Sequence, residues 1–162
     1  MYFKSLDGSE GFFPLSENYH EDGILKKTSA PAYLKTNVEI EIKTKAKILA
    51  QNLNLFGVLA IELFELFDGS IVFNEFAPRP HNSFHWTLNG CNSSQFDILV
   101  RTICGLPVKD VECNGKWEMT NLIGQDVNNI NLYKDQNYIL HIYGKKNVKP
   151  GRKMGHFNRN IS

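Results

Sequence analysis

Residues 57–87 read GVLAIELFELFDGSIVFNEFAPRPHNSFHWT, and the pairing within this stretch decides the fold. Residues 58–66 are almost wholly apolar, the pattern of a strand covered on both faces, yet Glu62 sits in their middle. Asp68-Gly69 is a two-residue hairpin signal, since both central positions of a type I′ turn need a positive φ that Asp and Gly tolerate. Such a turn sets Phe67 against Ser70 and, counting back, Glu62 against Glu75. Residues opposed in this way have Cβ atoms about 4.5–5.5 Å apart, where like charges destabilise. Either the register is shifted and the carboxylates reach solvent, or a cation joins them; the apolar flanks favour the cation. Two carboxylates with few other protein ligands suit Mg²⁺, with Mn²⁺ as the alternative, because such an ion takes its remaining oxygens from water and substrate phosphates. The stretch therefore predicts a nucleotide site.

Working outward, residues 2–15 predict two short strands around a glycine-containing turn, and residues 17–32, ENYHEDGILKKTSAPA, a polar cluster followed by an extended segment. His20 lies there among Glu17, Glu21 and Asp22, a setting that for most histidines means only a solvated surface group. From residue 37 to 54, Ile42, Ala46, Leu49 and Leu53 recur at helical spacing with lysines opposite, which predicts a helix. Residues 77–86 predict a loop, with prolines on both sides of Arg79. Ser93 or Ser94 then caps a second helix with the apolar face Phe96, Leu99, Val100 and Ile103, ended by Gly105 and Pro107. Beyond residue 107 the pattern changes to short strands over 117–123 and 138–143, separated by the polar stretch 125–137. The tail KKNVKPGRKMGHFNRN, residues 145–160, reads as a basic loop punctuated by Gly and Pro. Together these predict an α+β chain in two units, 1–106 and a small β-rich unit over 107–162.

Composition bounds what this chain does. With 162 residues and 42% hydrophobic content it can bury a core, and a net charge of +1 gives no field for nucleic acid. Cys91, Cys104 and Cys113 form no CxxC or His/Cys cluster, so a reducing cytoplasm fits better than a disulfide framework. No apolar run approaches the roughly 20 residues of a membrane span, and no targeting segment is evident.

The strings NEFAPRPHNSFHWT (74–87), ENYHEDGIL (17–25), SQF (94–96), GLP (105–107) and KPGRKMGH (149–156) together resemble the 5-(carboxyamino)imidazole ribonucleotide synthases. These are ATP-grasp ligases of purine biosynthesis that carboxylate aminoimidazole ribonucleotide with ATP and bicarbonate. The resemblance spans about residues 10–157. It implies the C-terminal lobe of an ATP-grasp fold, with Glu62 and Glu75 as Mg²⁺ ligands and His20, Asn74 and Glu75 at ATP. It also implies that Arg79 and His81 serve catalysis, while Asn82, Ser83, Lys145 and Arg152 bind the acceptor nucleotide, the last two at its phosphate. A planar guanidinium suits a phosphate because it donates two parallel hydrogen bonds.

Two departures qualify the resemblance. Phe84 stands where the family pattern has glycine, so a ring could narrow the site. The matching part is about the second half of the family protein, without its N-terminal domain, the glycine-rich lid or the first-lobe lysines. Two readings stay open: the C-terminal half of an enzyme, completed by a separately supplied N-terminal half or a homodimer partner or cut from a longer chain, or a truncated, non-catalytic remnant that binds Mg²⁺ and nucleotide weakly.

Overall fold

The computed structural model describes residues 1–133 and 137–162. Strands β1 (Tyr2–Lys4), β2 (Glu10–Phe12), β5 (Gly57–Glu65) and β6 (Ile71–Ala77) form a four-stranded antiparallel sheet in the order β2-β1-β5-β6. Strands β3 (Glu17–Glu21), β4 (Ile24–Ala30), β7 (Trp117–Ile123), β8 (Ile139–Ile142) and β9 (Lys153–Asn160) form a five-stranded antiparallel sheet in the order β3-β4-β7-β9-β8. Helices α1 (Thr36–Asn52), α2 (Thr87–Gly90) and α3 (Gln95–Ile103) complete the α+β architecture that the sequence predicts. The five-stranded sheet takes β3 and β4 from the first expected unit and β7, β8 and β9 from the second, so hydrogen bonding runs across residue 106.

Burial explains the layers. Val58, Leu59 and Ala60 of β5 are inaccessible on both faces: Val58 and Ala60 join Met1, Phe3, Phe13, Ala77, Phe84 and Ile98 on one side, and Leu59 joins Tyr2 and Ala50 of α1 on the other. A third cluster of Leu25, Ala30, Trp86, Trp117 and Met119 lies against the second sheet. At about 25 cal/mol per Å² of apolar surface removed from water, these clusters supply the main stabilising term. Phe84, whose ring the sequence placed near the site, is buried in the first cluster edge-on to Phe13, 6.1 Å between centroids, and also contributes to the wall of the cavity described below.

Four local expectations need correction. The first concerns the hairpin turn. Gly69 N donates to Leu66 O and Leu66 N to Ser70 O, both at 2.8 Å, so Leu66 and Ser70 close a three-residue loop in which only Gly69 (φ 81°) is left-handed. Asp68 keeps a negative φ because its Oδ1 accepts from Ser70 N at 2.9 Å and Ser70 Oγ at 2.6 Å. The register is thus displaced by one residue at Leu63↔Phe73, and a bulge at Asn74 displaces it back, so that Glu62 does oppose Glu75. The expected pairing holds although the expected turn does not.

The second correction is the tail: residues 153–160 are not loop but β9, between β7 and β8, with Met154 to Asn158 buried. Third, α3 starts at the predicted cap, where Ser94 Oγ accepts from Asp97 N at 3.2 Å and Asp97 Oδ2 accepts from Ser94 N at 3.0 Å. Its inner face, however, is Gln95, Ile98 and Thr102 with Leu99 beside them, while Phe96, Val100 and Ile103 are exposed. The inner face is rotated because Gln95 is fully buried on hydrogen bonds that hydrophobicity cannot report. Fourth, α1 ends at Asn52, with Asn54 left-handed (φ 48°), and packs through Ala46, Leu49 and Ala50 rather than Leu53. The polar stretch 125–137 is a 3₁₀ segment over Gly124–Tyr133 and then runs into residues 134–136, outside those described.

Candidate active site at the paired glutamates

The opposed pair Glu62 and Glu75 projects from one face of the β5–β6 hairpin, but the two differ in access: the Glu62 side chain is 11% exposed and that of Glu75 57%. Several groups relieve their repulsion. Asn18 Nδ2 on β3 donates to Glu62 Oε1 at 3.2 Å and is itself fixed by the Thr28 hydroxyl, which donates to Asn18 Oδ1 at 2.9 Å. His20 Nε2 lies 4.0 Å from Glu62 Oε2. The His81 ring stands between the carboxylates, with Nδ1 3.5 Å from Glu62 Oε1 and Nε2 3.5 Å from Glu75 Oε1.

His81 is held in this place from behind. Its main-chain N donates to Gln95 Oε1 at 2.8 Å, and Gln95 Nε2 donates to His81 O at 3.0 Å and lies 2.9 Å from His85 Nδ1. Ser83 Oγ is 2.8 Å from His81 Nδ1, and Ser83 N also points at that nitrogen. Accepting from Ser83 at Nδ1 leaves the proton of a neutral ring on Nε2, towards Glu75. Burial pushes the His81 pKa down against the opposing pull of Glu62 and Glu75, so the imidazole is neutral at pH 7. Glu62 Oε1 and His81 Nδ1 are then two acceptors 3.5 Å apart with no proton between them, an arrangement that a cation relieves. One oxygen from each glutamate and one imidazole nitrogen lie within 4.8 Å of each other, a donor set that fits a divalent ion.

A cavity of about 550 Å³ opens beside the pair, with Asn18, His20, Glu62, Asn74 and Ser83 in its wall. Asn74 reaches it because the bulge breaks the strict alternation of β6, which would otherwise turn it to the face opposite Glu75. Asn82 is turned elsewhere: its side-chain amide exchanges hydrogen bonds with that of Asn121 on β7, at 2.9 and 2.6 Å. Arg79 is exposed, its guanidinium on Pro80 O at 3.0 Å, and close enough to His81 to help lower its pKa.

Lys145 and Arg152 flank the entrance to β9. Lys145 Nζ donates to Lys153 O at 2.6 Å, and Arg152 Nη1 to Asn147 O at 3.0 Å. Lys153, which follows Arg152 at the start of β9, is a residue that the basic run does not single out. Burial lowers the Lys153 pKa, while Glu62 and Glu75 raise it, so the half-buried ammonium lies within electrostatic reach of the carboxylate pair. Gln95, the clamp on His81, was passed over as well. The signal for Lys153 was a basic run, and for Gln95 a lone amide in SQF; neither pattern distinguishes a buried polar group from a solvated one.

Two family models match this architecture, the ATP-grasp domain over residues 1–96 and the phosphoribosylaminoimidazole carboxylase C-terminal domain over 118–160. The chain belongs to the ATP-grasp family. It is 41% identical over 157 residues to the N5-carboxyaminoimidazole ribonucleotide synthase of Brucella melitensis, covering 96% of this chain and 43% of that protein. The solved structure of N5-carboxyaminoimidazole ribonucleotide synthetase from Thermus thermophilus superposes with a TM-score of 0.90 at 38% identity, over 98% of this chain and 44% of that one. The Aspergillus clavatus N5-carboxyaminoimidazole synthase, in complex with ADP and 5-aminoimidazole ribonucleotide, gives a TM-score of 0.90 at 32% identity, over 99% of this chain and 45% of that one. The chain therefore spans less than half the length of these relatives. Among the described residues no helix is long and apolar enough to cross a membrane.

Proposed function

We propose that this chain supplies the metal carboxylates and the acceptor-nucleotide side of an ATP- and bicarbonate-dependent carboxylation of 5-aminoimidazole ribonucleotide, working with an N-terminal portion like that of its relatives. The observation that carries this reading is the His81 ring between Glu62 and Glu75, 3.5 Å from each, on a loop clamped by Gln95. Glu62, Glu75 and, at its Nδ1 side, His81 would hold a divalent ion. That ion, when bound, neutralises charge on the phosphates of ATP.

The residues then divide the work. His20 and Asn74 face the triphosphate along the cavity wall and Glu75 meets it from beside Asn74, and Arg79 orients the bicarbonate anion through its free guanidinium edge. Phosphorylation of bicarbonate by the γ-phosphoryl group yields carboxyphosphate and ADP. Carboxyphosphate releases CO₂ and phosphate, and the exocyclic amine of the acceptor adds to CO₂ and loses a proton. His81, kept neutral by burial with its hydrogen on Nε2, orients the acceptor, and that proton passes to the released phosphate. Lys145 and Arg152 take the ribonucleotide phosphate, with Ser83 and Asn82 shaping the loop below it. Lys153 offsets negative charge where the two nucleotides meet. Free thiols at Cys91, Cys104 and Cys113 accord with a cytoplasmic setting.

The test is reconstitution. Residues 1–162 mixed with the N-terminal portion of the Brucella relative should form 5-(carboxyamino)imidazole ribonucleotide from ATP, Mg²⁺, bicarbonate and the acceptor. ATP hydrolysis that ignores the acceptor would overturn the assignment. A second reading, a non-catalytic remnant, is favoured by one observation: Phe64, Phe67, Phe73 and Phe76 of the hairpin are all exposed, an apolar surface of the kind that promotes self-association. Failure of the mixture to react, together with aggregation of the chain by light scattering, would support it.

A further inference from the structure

Cys91 and Cys113 lie outside the site, facing each other across an isolated antiparallel bridge between the end of α2 and the approach to β7. The hydrogen bonds around them define the type of bridge. Asn92 N donates to Glu112 O at 3.0 Å and Asn114 N to Gly90 O at 2.9 Å, which leaves the cysteines as the non-hydrogen-bonded pair between two bonded ones. In such a pair the Cα atoms are about 4.5 Å apart with the side chains turned together, inside the roughly 4.4–6.8 Å that a disulfide spans. The thiols already act on each other, since Cys113 is the next cause after burial of the raised Cys91 pKa.

We propose that Cys91 and Cys113 are an oxidative modification site, a dithiol that takes a small-molecule disulfide as its substrate and closes to an intramolecular bridge. Access sets the order of events. Cys113 lines an open surface groove with Lys116 and Tyr33, whereas Cys91 packs against both the Phe13–Phe84 and the Trp86–Trp117 clusters. The Cys113 thiolate attacks the external disulfide, forming a mixed disulfide and releasing one thiolate. Cys91 then attacks the Cys113 sulfur and expels the second. Two protein thiols become one disulfide, the reagent is reduced to two thiols, and the two protons from the cysteines go to those leaving groups. Burial raises both thiol pKa values, that of Cys91 to about 12, so closure is slow, and exposed Cys104 reacts first. The bridge encloses α3, and with it Gln95, the residue that holds His81.

The experiment uses the chain as it is, incubated with excess oxidised glutathione, quenched with iodoacetamide in denaturant, and mapped by mass without reduction. The expected result is a peptide pair joining Cys91 to Cys113 with the loss of two hydrogens, a glutathione adduct or alkylation on Cys104, and reversal by dithiothreitol. Closing this loop should also raise the melting temperature by about 5 °C, and Cys104→Ser should leave the bridge intact. Recovery of Cys91 and Cys113 both alkylated, a glutathione that stays on Cys113, or a bridge that uses Cys104 would each overturn the proposal.

Discussion

Strands β5 and β9 occupy equivalent places, each internal to its sheet and each delivering a charged group to the site, but they are kept inside by opposite means. Strand β5 is buried through Val58, Leu59 and Ala60, and its one intrusive charge, Glu62, emerges where the apolar run meets the cavity. Strand β9 is buried through Gly155, His156 and Asn158 as much as through Met154 and Phe157. Asn158 Nδ2 donates to His85 O at 3.1 Å and to Asn89 Oδ1 at 2.6 Å, and the Tyr143 hydroxyl meets His156 Nδ1 at 2.8 Å. The His156 ring stacks between His141 and His85, at 4.6 and 4.9 Å. Gly155 runs so close to β8 that a Cβ there would lie 2.6 Å from His141 O. One strand is held by area removed from water and the other by hydrogen bonds and stacking among buried polar groups.

The largest expected effect falls on β5–β6. Glu62→Gln or Glu75→Gln in the reconstituted enzyme should abolish ATP turnover, since either removes half of the charge that would hold the ion. A Glu75→Gln enzyme within a few-fold of the parent would remove the metal role from that residue, exposed though it is. Next comes the entrance to β9. Arg152→Ala should raise KM for 5-aminoimidazole ribonucleotide by roughly 10- to 150-fold, the equivalent of about 1.5–3 kcal/mol for a charge-assisted contact, and leave KM for ATP nearly unchanged. Equal changes in both constants would place Arg152 outside the acceptor site.

The two strands also differ in how far the sequence betrays them. The apolar run of β5 announced a covered strand, and β7 was legible as a short strand over Trp117–Ile123. In β9 the periodicity fails because its interior faces are filled by His156 and Asn158, whose partners lie 13 to 73 positions away in the chain. The same blindness hid Gln95 and rotated the reading of α3 onto Phe96, Val100 and Ile103. The Glu62–Glu75 pairing was legible only through a coincidence, a turn one residue longer than expected offset by the Asn74 bulge. Local turn chemistry gave a loop at Asp68-Gly69, but not which of the two residues would be left-handed.

Stability separates the strands further. Asn158→Leu, which keeps the size and removes the amide, should lower unfolding free energy by about 1–3 kcal/mol by removing two hydrogen bonds, one to Asn89 Oδ1, which keeps His141 Nε2, and one to His85 O, which keeps Leu88 N, whereas Leu59→Met on β5 should cost less than about 1.5 kcal/mol. Comparable losses in urea melts would erase the distinction. Acid should weaken β9. Burial lowers the His85 pKa to about 4 and that of His156 to about 3, while the unfolded values stay near 6.5. The unfolded chain therefore binds more protons below 6.5. The contribution of the neutral stack is complete above that pH and is lost as pH falls through 6.5 towards 4 and 3. His156→Phe should flatten that part of the stability–pH profile, and an unchanged slope would clear the stack of responsibility.

The smallest effect tests the coincidence in the hairpin, and it does so by sign. If the loop were a two-residue type I′ turn, Asp68 and Gly69 would both need positive φ, and Asp68→Gly would relieve strain and stabilise the chain. In the three-residue loop Asp68 keeps a negative φ and its carboxylate accepts from Ser70 N and Oγ. Asp68→Gly then removes those bonds and adds freedom to the unfolded chain, so it should destabilise. Gly69→Ala, at φ 81°, should destabilise in either geometry by about 1 kcal/mol. Neither change touches Glu62 or Glu75, which are set by the bulge at Asn74 rather than by the turn, so in the reconstituted enzyme both variants should keep parental turnover at a lower melting temperature. Stabilisation by Asp68→Gly would restore the two-residue turn. The bulge would then no longer be needed to bring Glu62 opposite Glu75.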